Sequence, residues 1–159
     1  MKEIKLTQGK IAFVDNKNYE ILNKFKWCAY WDKWNWYALR NSYFINGKRK
    51  KIWMHREIMN AEKGVQVDHR NGNGLDNRKE NLRLCNNQQN QRNKLNSYKN
   101  NKLKIKGVSF CKKSKKFKAV IHINKKQIYL GSFNVLGDTD SAYRIAEEKY
   151  FGEFARKYI

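Results

Sequence analysis

Four polar residues in the middle of the chain have the types and spacing of a metal-assisted hydrolytic site. They are Asp68, His69, Asn81 and Asn90. Cleavage of a phosphodiester bond requires that water is deprotonated, that charge on the phosphate is neutralised and that the departing 3′ oxygen is stabilised. A histidine suits the first task near neutral pH. A hard divalent cation held by oxygen ligands suits the other two.

Asp68 and the amide oxygen of Asn90 are oxygen donors of the kind that such a cation takes. With two protein ligands, waters, the phosphate and the leaving oxygen would complete an octahedron. That arrangement favours Mg²⁺, with Mn²⁺ as the alternative. Asn90 lies in an Asn/Gln-rich run, which leaves two alternatives. Asn93 takes the metal-binding position instead, or Asn90 is an amide on the helix surface that binds no metal. For His69, the alternative is a packed or solvated histidine at the end of a strand.

The elements that must position these residues are short. Residues 64–69 alternate like a strand, residues 70–77 form a Gly/Asn-rich loop, and residues 81–85 form a second strand. A helix over residues 86–94 follows, with Asn86 at its N-cap. Neighbouring strand residues point to opposite faces, so Asp68 and His69 share a site only where the strand bends. The loop that follows makes such a bend reasonable.

The flanking segments predict an α+β fold. Before the site we expect strands at 4–6 and 11–14, a helix at 18–25, a hairpin of 37–44 and 51–54 closed near Asn46-Gly47, and a helix at 55–62. After it we expect strands at 107–111, 116–123 and 127–130. A last helix runs from about Thr139 to Phe151, capped by Asp138 or Thr139. Its apolar stripe is Ala142, Ile145, Ala146 and Tyr150.

The net charge of +21 predicts a polyanionic partner and argues against a small-molecule substrate. Between Glu80 and Asp138 there are 14 cations and no acid. A solvated face is the alternative for such a run, but apolar residues alternate with the lysines. Nucleic acid is favoured over membrane because no long basic amphipathic helix is present. Aromatic residues also alternate with lysines over 24–36, where the tryptophans are interpreted first as core.

Other classes of protein are disfavoured. No apolar run approaches the length of about 20 residues that spans a bilayer, and residues 1–5 lack a signal-peptide pattern. Cys28, Cys85 and Cys111 are odd in number and widely spaced, so neither zinc nor disulfides are expected. We expect reduced thiols and a cytoplasmic location, in a bacterial or phage-infected host cell.

The central residues resemble the HNH (ββα-metal) nucleases, in particular the phage and intron-encoded homing endonucleases. The resemblance rests on Asp68-His69, Asn81-Leu82-Arg83 and Gln89-Asn90, and on an extended pattern from Ile4 to Asn93. It implies that His69 is the general base, that Asp68 and Asn90 bind the metal, and that Asn81 braces the loop that carries His69. We expect His55 to pack beneath the motif, with a part in the site as the alternative. For Arg56, a contact with a DNA phosphate and the absence of such a contact are equally expected.

The last third of the chain, about residues 105–156, resembles the Apetala-2/ethylene-response-factor DNA-binding domain. The motifs include Lys106-Gly107-Val108, Phe117-Lys118-Ala119-Val120-Ile121 and Tyr129-Leu130-Gly131-Ser132-Phe133. Strand alternation places Val108, Phe110, Phe117, Ala119, Ile121, Ile123, Ile128 and Leu130 inward. The outward face is expected to contact DNA. Its residues are Ser109, Cys111, Lys116, Lys118, His122, Gln127 and Tyr129, and Lys106 of the first motif is expected to contact DNA as well.

The sequence therefore predicts an HNH domain over 1–94, with its ββα core at 64–94, a basic linker over 95–104 and a DNA-binding domain over 105–159. The expected function is Mg²⁺-dependent, site-specific cleavage of double-stranded DNA of the homing type, leaving 5′-phosphate and 3′-hydroxyl ends. One site per chain predicts nicking by a monomer, with a dimer as the alternative. A non-catalytic DNA-binding regulator and a restriction or defence nuclease are the competing functions.

Overall fold

The computed structural model describes residues 1–44, 47, 49–94 and 101–156. The chain divides into two compact units, Met1–Asn90 and Gln91–Lys157. The mixture of helices and small antiparallel sheets confirms the predicted α+β class. Most of the predicted linker over 95–104, and Asn46 of the predicted turn, lie outside the described residues. Within the part of the chain that is described, no helix has the length and apolar character needed to cross a membrane.

The first unit begins with a hairpin of β1 (Lys2–Lys5) and β2 (Ile11–Val14), joined through a short 3₁₀ helix at Thr7–Gly9 and followed by α1 (Asn16–Leu22). Alternate residues of both strands point into the core, which explains why Ile4, Ala12 and Val14 are buried. The helix starts and ends earlier than the predicted range of 18–25. Trp27 packs into the same core, and its indole nitrogen donates to the carbonyl of Leu22 at 2.8 Å.

A three-stranded antiparallel sheet follows, in the order β3 (Cys28–Trp31), β4 (Trp36–Asn41), β5 (Lys51–Trp53). The predicted hairpin is confirmed as the pairing of β4 with β5, whereas β3 was not predicted. Helix α2 (Met54–Ile58) begins directly after β5 and is shorter than expected. Met54 anchors this helix in the core with no exposed surface.

The centre of the chain forms β6 (Gln66–His69), β7 (Leu82–Cys85) and α3 (Asn87–Asn93). The two strands pair antiparallel, so the predicted order of strand, loop, strand and helix is confirmed. Asn86 precedes α3 and accepts from the Gln89 amide at 2.9 Å, while Gln89 Oε1 accepts from the Asn86 amide at 2.9 Å. This reciprocal pair is the capping box of a helix N-terminus, and it confirms the predicted cap.

The second unit contains a three-stranded antiparallel sheet of β8 (Val108–Cys111), β9 (Lys116–Ile123) and β10 (Lys126–Phe133), in the order β10-β9-β8. Helix α4 (Leu136–Phe151) packs on this sheet around Val108, Ala119 and Ile121. Gly107 has a φ of +71°, and a Cβ there would lie 1.9 Å from the Tyr143 ring. Only glycine fits where the chain passes this close to the helix.

The expected start of α4 is wrong. The helix begins at Leu136, and Thr139 lies inside it, where its hydroxyl donates to the carbonyl of Val135 at 2.8 Å instead of capping the end. The expected apolar stripe is half right: Ala142 and Ala146 pack in the core, while Ile145 is 68 % exposed and Tyr150 is 40 % exposed. The buried side chains of Tyr143 and Glu147 complete the inner face of the helix.

Candidate active site

Asp68 and His69 occupy the last two positions of β6. In the antiparallel register, Asp68 lies opposite Arg83 and His69 opposite Leu82. The chain turns directly after His69, where the amide of Gly72 donates to the His69 carbonyl at 2.8 Å. The turn therefore lies just beyond the pair and not between the two residues, which keep the regular register with β7. The charge of Asp68 nonetheless acts on the His69 ring.

Asp68 forms a buried ion pair with Arg83. The Arg83 Nε and Nη2 atoms donate to Asp68 Oδ2 at 2.8 and 2.6 Å, and the two side chains are only 7 % and 5 % exposed. The pair holds the carboxylate at the site while neutralising part of its charge. Sequence reasoning missed this role, although an antiparallel register for the two strands would have placed Arg83 opposite Asp68.

His69 is 5 % exposed and is surrounded by polar and aromatic side chains. Its Nε2 lies 3.4 Å from Asn77 Oδ1, and its ring centre lies 5.1 Å from that of His55 and 5.8 Å from that of Tyr37. Burial lowers the pKa of His69 below its ordinary value, against the opposing effect of the Asn77 hydrogen bond and the nearby carboxylates. The imidazole is therefore neutral near pH 7, the state that a general base requires.

The contact with Asn77 favours one tautomer of His69. Asn77 Nδ2 donates to the carbonyl of Leu75 at 3.1 Å, so the amide oxygen is the atom that faces His69. An amide oxygen only accepts, so this 3.4 Å contact favours a proton on Nε2 and a lone pair on Nδ1. Asn77 was not among the predicted site residues, because the loop that carries it gives no sign of which amide faces the histidine.

His55 lies against His69 inside an aromatic group with Tyr37 and Trp53. Its Nδ1 is buried without a hydrogen-bond partner among the described residues. Burial, followed by the charges of His69 and Arg56, lowers the pKa of His55 to about 3. Its neutral ring therefore forms part of the apolar wall beside His69. Of the two roles considered from the sequence, this position corresponds to packing beneath the motif.

Asn81 joins the two ends of the loop that follows His69. Its Oδ1 accepts from the amide of Asn71 at 3.0 Å, and its Nδ2 donates to the carbonyl of Asp76 at 2.7 Å. Its own carbonyl accepts from the amide of Arg70 at 2.8 Å. The side chain is 6 % exposed, so these bonds are shielded from water. These three hydrogen bonds are the contacts expected of a residue that holds the loop in place.

Asn90 reaches β6 from helix α3 through a side-chain contact. Its Nδ2 donates to Gln66 Oε1 at 2.7 Å. Gln66 and Asp68 are two residues apart on the strand and so lie on one face. Asn93, the alternative register, is 3 % exposed. The structure therefore brings Asn90 to the strand face that carries Asp68.

The donor set fits a hard divalent cation. Because the amide nitrogen of Asn90 is committed to Gln66, its oxygen is the atom that can bind a metal. Asp68 adds a carboxylate on the same strand face, and oxygen ligands of these two kinds suit Mg²⁺. A cation bound here would share the carboxylate with Arg83. Among the described residues, no three His, Cys, Asp or Glu side chains form a metal-binding group.

Two residues that were expected to contact DNA form hydrogen bonds and an ion pair within the protein. The Arg56 guanidinium donates to three backbone carbonyls between Ala61 and Val65, at 2.5–3.1 Å. Lys106 donates to the carbonyl of Arg92 and pairs with the buried Glu147 at 2.7 Å. Both contacts stabilise the fold, and neither supports the DNA-binding role, which stays a prediction for both residues.

The other expected DNA contacts share one face of the second sheet. Cross-strand register pairs Ser109 with Lys118, Cys111 with Lys116, and His122 with Gln127, and Tyr129 lies opposite Val120 on the same face. Hydrogen bonds from Ser114 lower the pKa of Cys111 to about 7. On the inner face, Phe110 departs from expectation: it packs on Phe117 at 5.0 Å but is 46 % exposed.

Comparison with known proteins finds a similarity in the central region. Residues 54–92, from the start of α2 into α3, match the HNH endonuclease family model. The chain is also 28 % identical, over 154 residues, to a protein of Acanthamoeba polyphaga mimivirus named as an uncharacterized HNH endonuclease. The alignment covers 93 % of this chain and 74 % of that protein. No solved structure matches the chain.

Proposed function

We propose that this chain is a Mg²⁺-dependent DNA endonuclease of the homing type, in which His69 acts as the general base. One observation carries the proposal above all. The β6–β7–α3 unit places the buried, neutral His69 beside Asp68 at the end of β6, and it brings Asn90 to the same strand through Gln66. The match of residues 54–92 to the HNH endonuclease family supports the same chemistry.

In the proposed reaction, His69 Nδ1 takes a proton from the attacking water, while the bond from Nε2 to Asn77 orients the ring. Asp68 and Asn90 hold the cation. When bound, Mg²⁺ supplies the positive charge that stabilises the phosphate and the departing 3′ oxygen. The bond between phosphorus and the 3′ oxygen breaks as water adds, and the 3′ oxygen takes a proton from solvent while His69 later returns its own to solvent. The products are a 5′-phosphate and a 3′-hydroxyl. Asn81 fixes the loop that follows His69, so that the ring keeps its position during the reaction.

We propose that the second unit binds the same DNA in the manner of an Apetala-2-type domain. Its outer sheet face presents Lys116, Lys118, His122 and Gln127, and a sheet of this width can enter a major groove. The acid-free stretch from Arg83 to Gly137 supplies cations for phosphate contacts. Binding is therefore expected to weaken steeply as salt rises.

Nicking by a monomer follows from one HNH site per chain, and cutting both strands would then take a dimer or two successive events. The test is incubation of the protein with supercoiled plasmid DNA that carries the sequence flanking its own gene. We expect nicked circles in Mg²⁺ and intact plasmid in EDTA, with Mn²⁺ restoring cleavage. Binding without cleavage under all metal conditions would refute the nuclease and favour a non-catalytic regulator. Equal cleavage in EDTA would refute the role of the metal.

A further inference from the structure

The turn between β3 and β4 presents a tryptophan to solvent beside the candidate active site. Trp34 lies at the tip of this turn and is 70 % exposed. Trp31, at the end of the strand before this turn, is 48 % exposed as well. Large apolar side chains that are exposed close together indicate a surface that binds a partner, whereas a single one would not.

The turn holds Trp34 in a defined position. Asp32 Oδ1 accepts from the backbone amides of Trp34 at 2.9 Å and Asn35 at 2.7 Å. The amide of Asp32 in turn donates to the carbonyl of Asn35 at 3.1 Å. The strand residues on either side, Trp31 and Trp36, pack their rings 5.3 Å apart. A side chain presented on a braced turn loses little conformational entropy when it binds.

Hydrogen bonds connect this turn to the residues of the reaction. Asn35 Nδ2 donates to the carbonyl of Gly72 at 2.6 Å, and the amide of Gly72 donates to the carbonyl of His69 at 2.8 Å. Two hydrogen bonds therefore connect Asn35, the residue after Trp34, to the backbone of the proposed general base.

We propose that Trp34 stacks on a DNA base that is unstacked beside the scissile phosphate. The inference rests on the proposed function. Positive charge on the chain and near Trp34 favours DNA as the molecule that contacts the indole. The chain carries a net charge of +21, Lys33 precedes Trp34 in the same turn, and Lys10 lies 4.9 Å from the Trp36 ring centre. Apolar and aromatic side chains inserted at a base step bend the duplex, which would bring the strand to the site.

The experiment measures binding without cleavage. Two short duplexes of one sequence are compared in EDTA, one fully paired and one with two unpaired nucleotides in the middle of one strand. Because unpaired bases have no base pair to break, less energy is needed to unstack them, and the wild type is expected to bind the bulged duplex more tightly. Stacking on one base predicts that Trp34→Ala loses roughly 5- to 150-fold in affinity for it, while Trp34→Phe retains most of the affinity.

Two further readouts separate stacking from other effects. The indole is uncharged, so Trp34→Ala should leave the slope of log affinity against log salt unchanged. Ile21→Ala, which removes a comparably exposed apolar side chain from α1 (61 % exposed), should bind both duplexes like the wild type. Circular dichroism checks that each variant is folded.

The inference is overturned if folded Trp34→Ala binds both duplexes like the wild type. It is also overturned if the substitution alters sedimentation while DNA affinity stays constant, because the indole would then contact a second copy of the chain. A wild type that favours the bulged duplex through Trp34 yet never cuts DNA would instead refute the proposed function and the place of the base beside a scissile phosphate, while the stacking of Trp34 on an unpaired base would stand.

Discussion

The buried pair of Asp68 and Arg83 allows a sharp prediction about stability. Replacing Arg83 with methionine keeps the length of the side chain but removes both charge-assisted hydrogen bonds to Asp68 Oδ2. With the carboxylate only 7 % exposed, solvent cannot take the place of the lost guanidinium. A buried ion whose partner has been removed is strongly destabilising.

The expected loss is about 3–5 kcal/mol in the free energy of unfolding of the first unit. A surface pair gives a much smaller value, about 0.2–1 kcal/mol. Lys2 and Glu20 form such a pair in the same unit at 3.1 Å, with side chains 45 % and 75 % exposed. Lys2→Met is therefore the matched control, and the two substitutions should differ by several kcal/mol.

Tryptophan fluorescence reports this unit selectively. All five tryptophans of the chain lie within residues 27–53, so urea unfolding followed by their emission measures the first unit. A double-mutant cycle with Asp68→Asn then isolates the pair. Removing both charges should cost much less than the sum of the two single losses, because neither variant residue is left as an unpaired buried ion.

Two results would refute this reasoning. If Arg83→Met loses no more stability than Lys2→Met, the pair is not desolvated as the structure shows. If the losses of Arg83→Met and Asp68→Asn simply add, the two charges do not interact across β6 and β7.

Four further outcomes are expected. Asn81→Ala should speed hydrogen exchange in the loop after His69 and slow cleavage by at least tenfold, because two buried hydrogen bonds are lost; unchanged exchange would contradict the bracing role. The folded chain keeps His55 neutral, with a pKa of about 3, whereas the unfolded chain binds a proton below about pH 6.5. The contribution of His55 to stability should therefore be full above that pH and fall by about 2 kcal/mol at pH 5. In urea titrations, His55→Phe should remove this part of the acid loss and leave the part due to His69, whose pKa is lowered as well. Lys118→Ala should lower the salt slope of DNA binding by about 0.9 if it contacts a phosphate, and an unchanged slope would exclude that contact. Lys106→Ala should instead lower the melting temperature, because the ion pair between Lys106 and the buried Glu147 would be lost. A salt slope reduced at constant stability would support the predicted DNA contact of Lys106.

Local patterns explain what could be predicted from the sequence. Alternation over 64–69 and 81–85, the Gly/Asn-rich loop between them and the Asn86 cap are short-range signals, and each corresponds to an element of the structure. The spacing of His69, Asn81 and Asn90 depends on those elements, which is why the sequence predicts the region that matches the HNH endonuclease family model.

The residues that sequence reasoning missed depend on contacts between distant segments. Arg83 meets Asp68 only through the register of two strands, and Asn77 faces His69 only because a loop returns to the strand. On α4, aliphatic Ile145 is exposed while Glu147 is buried by its pairing with Lys106. Hydrophobic periodicity cannot reveal a buried charge, since burial there follows from a partner 41 residues away.

The most direct test of the central claim is the single-turnover cleavage rate of His69→Ala, measured in Mg²⁺ with protein in excess over DNA. We expect a fall of about 10²- to 10⁴-fold, because a general base contributes that much, with DNA affinity in EDTA unchanged. His122→Ala is the matched control: it removes an exposed histidine from the second sheet, and at saturating protein its rate should equal that of the wild type. Cleavage by His69→Ala at the wild-type rate would contradict the account.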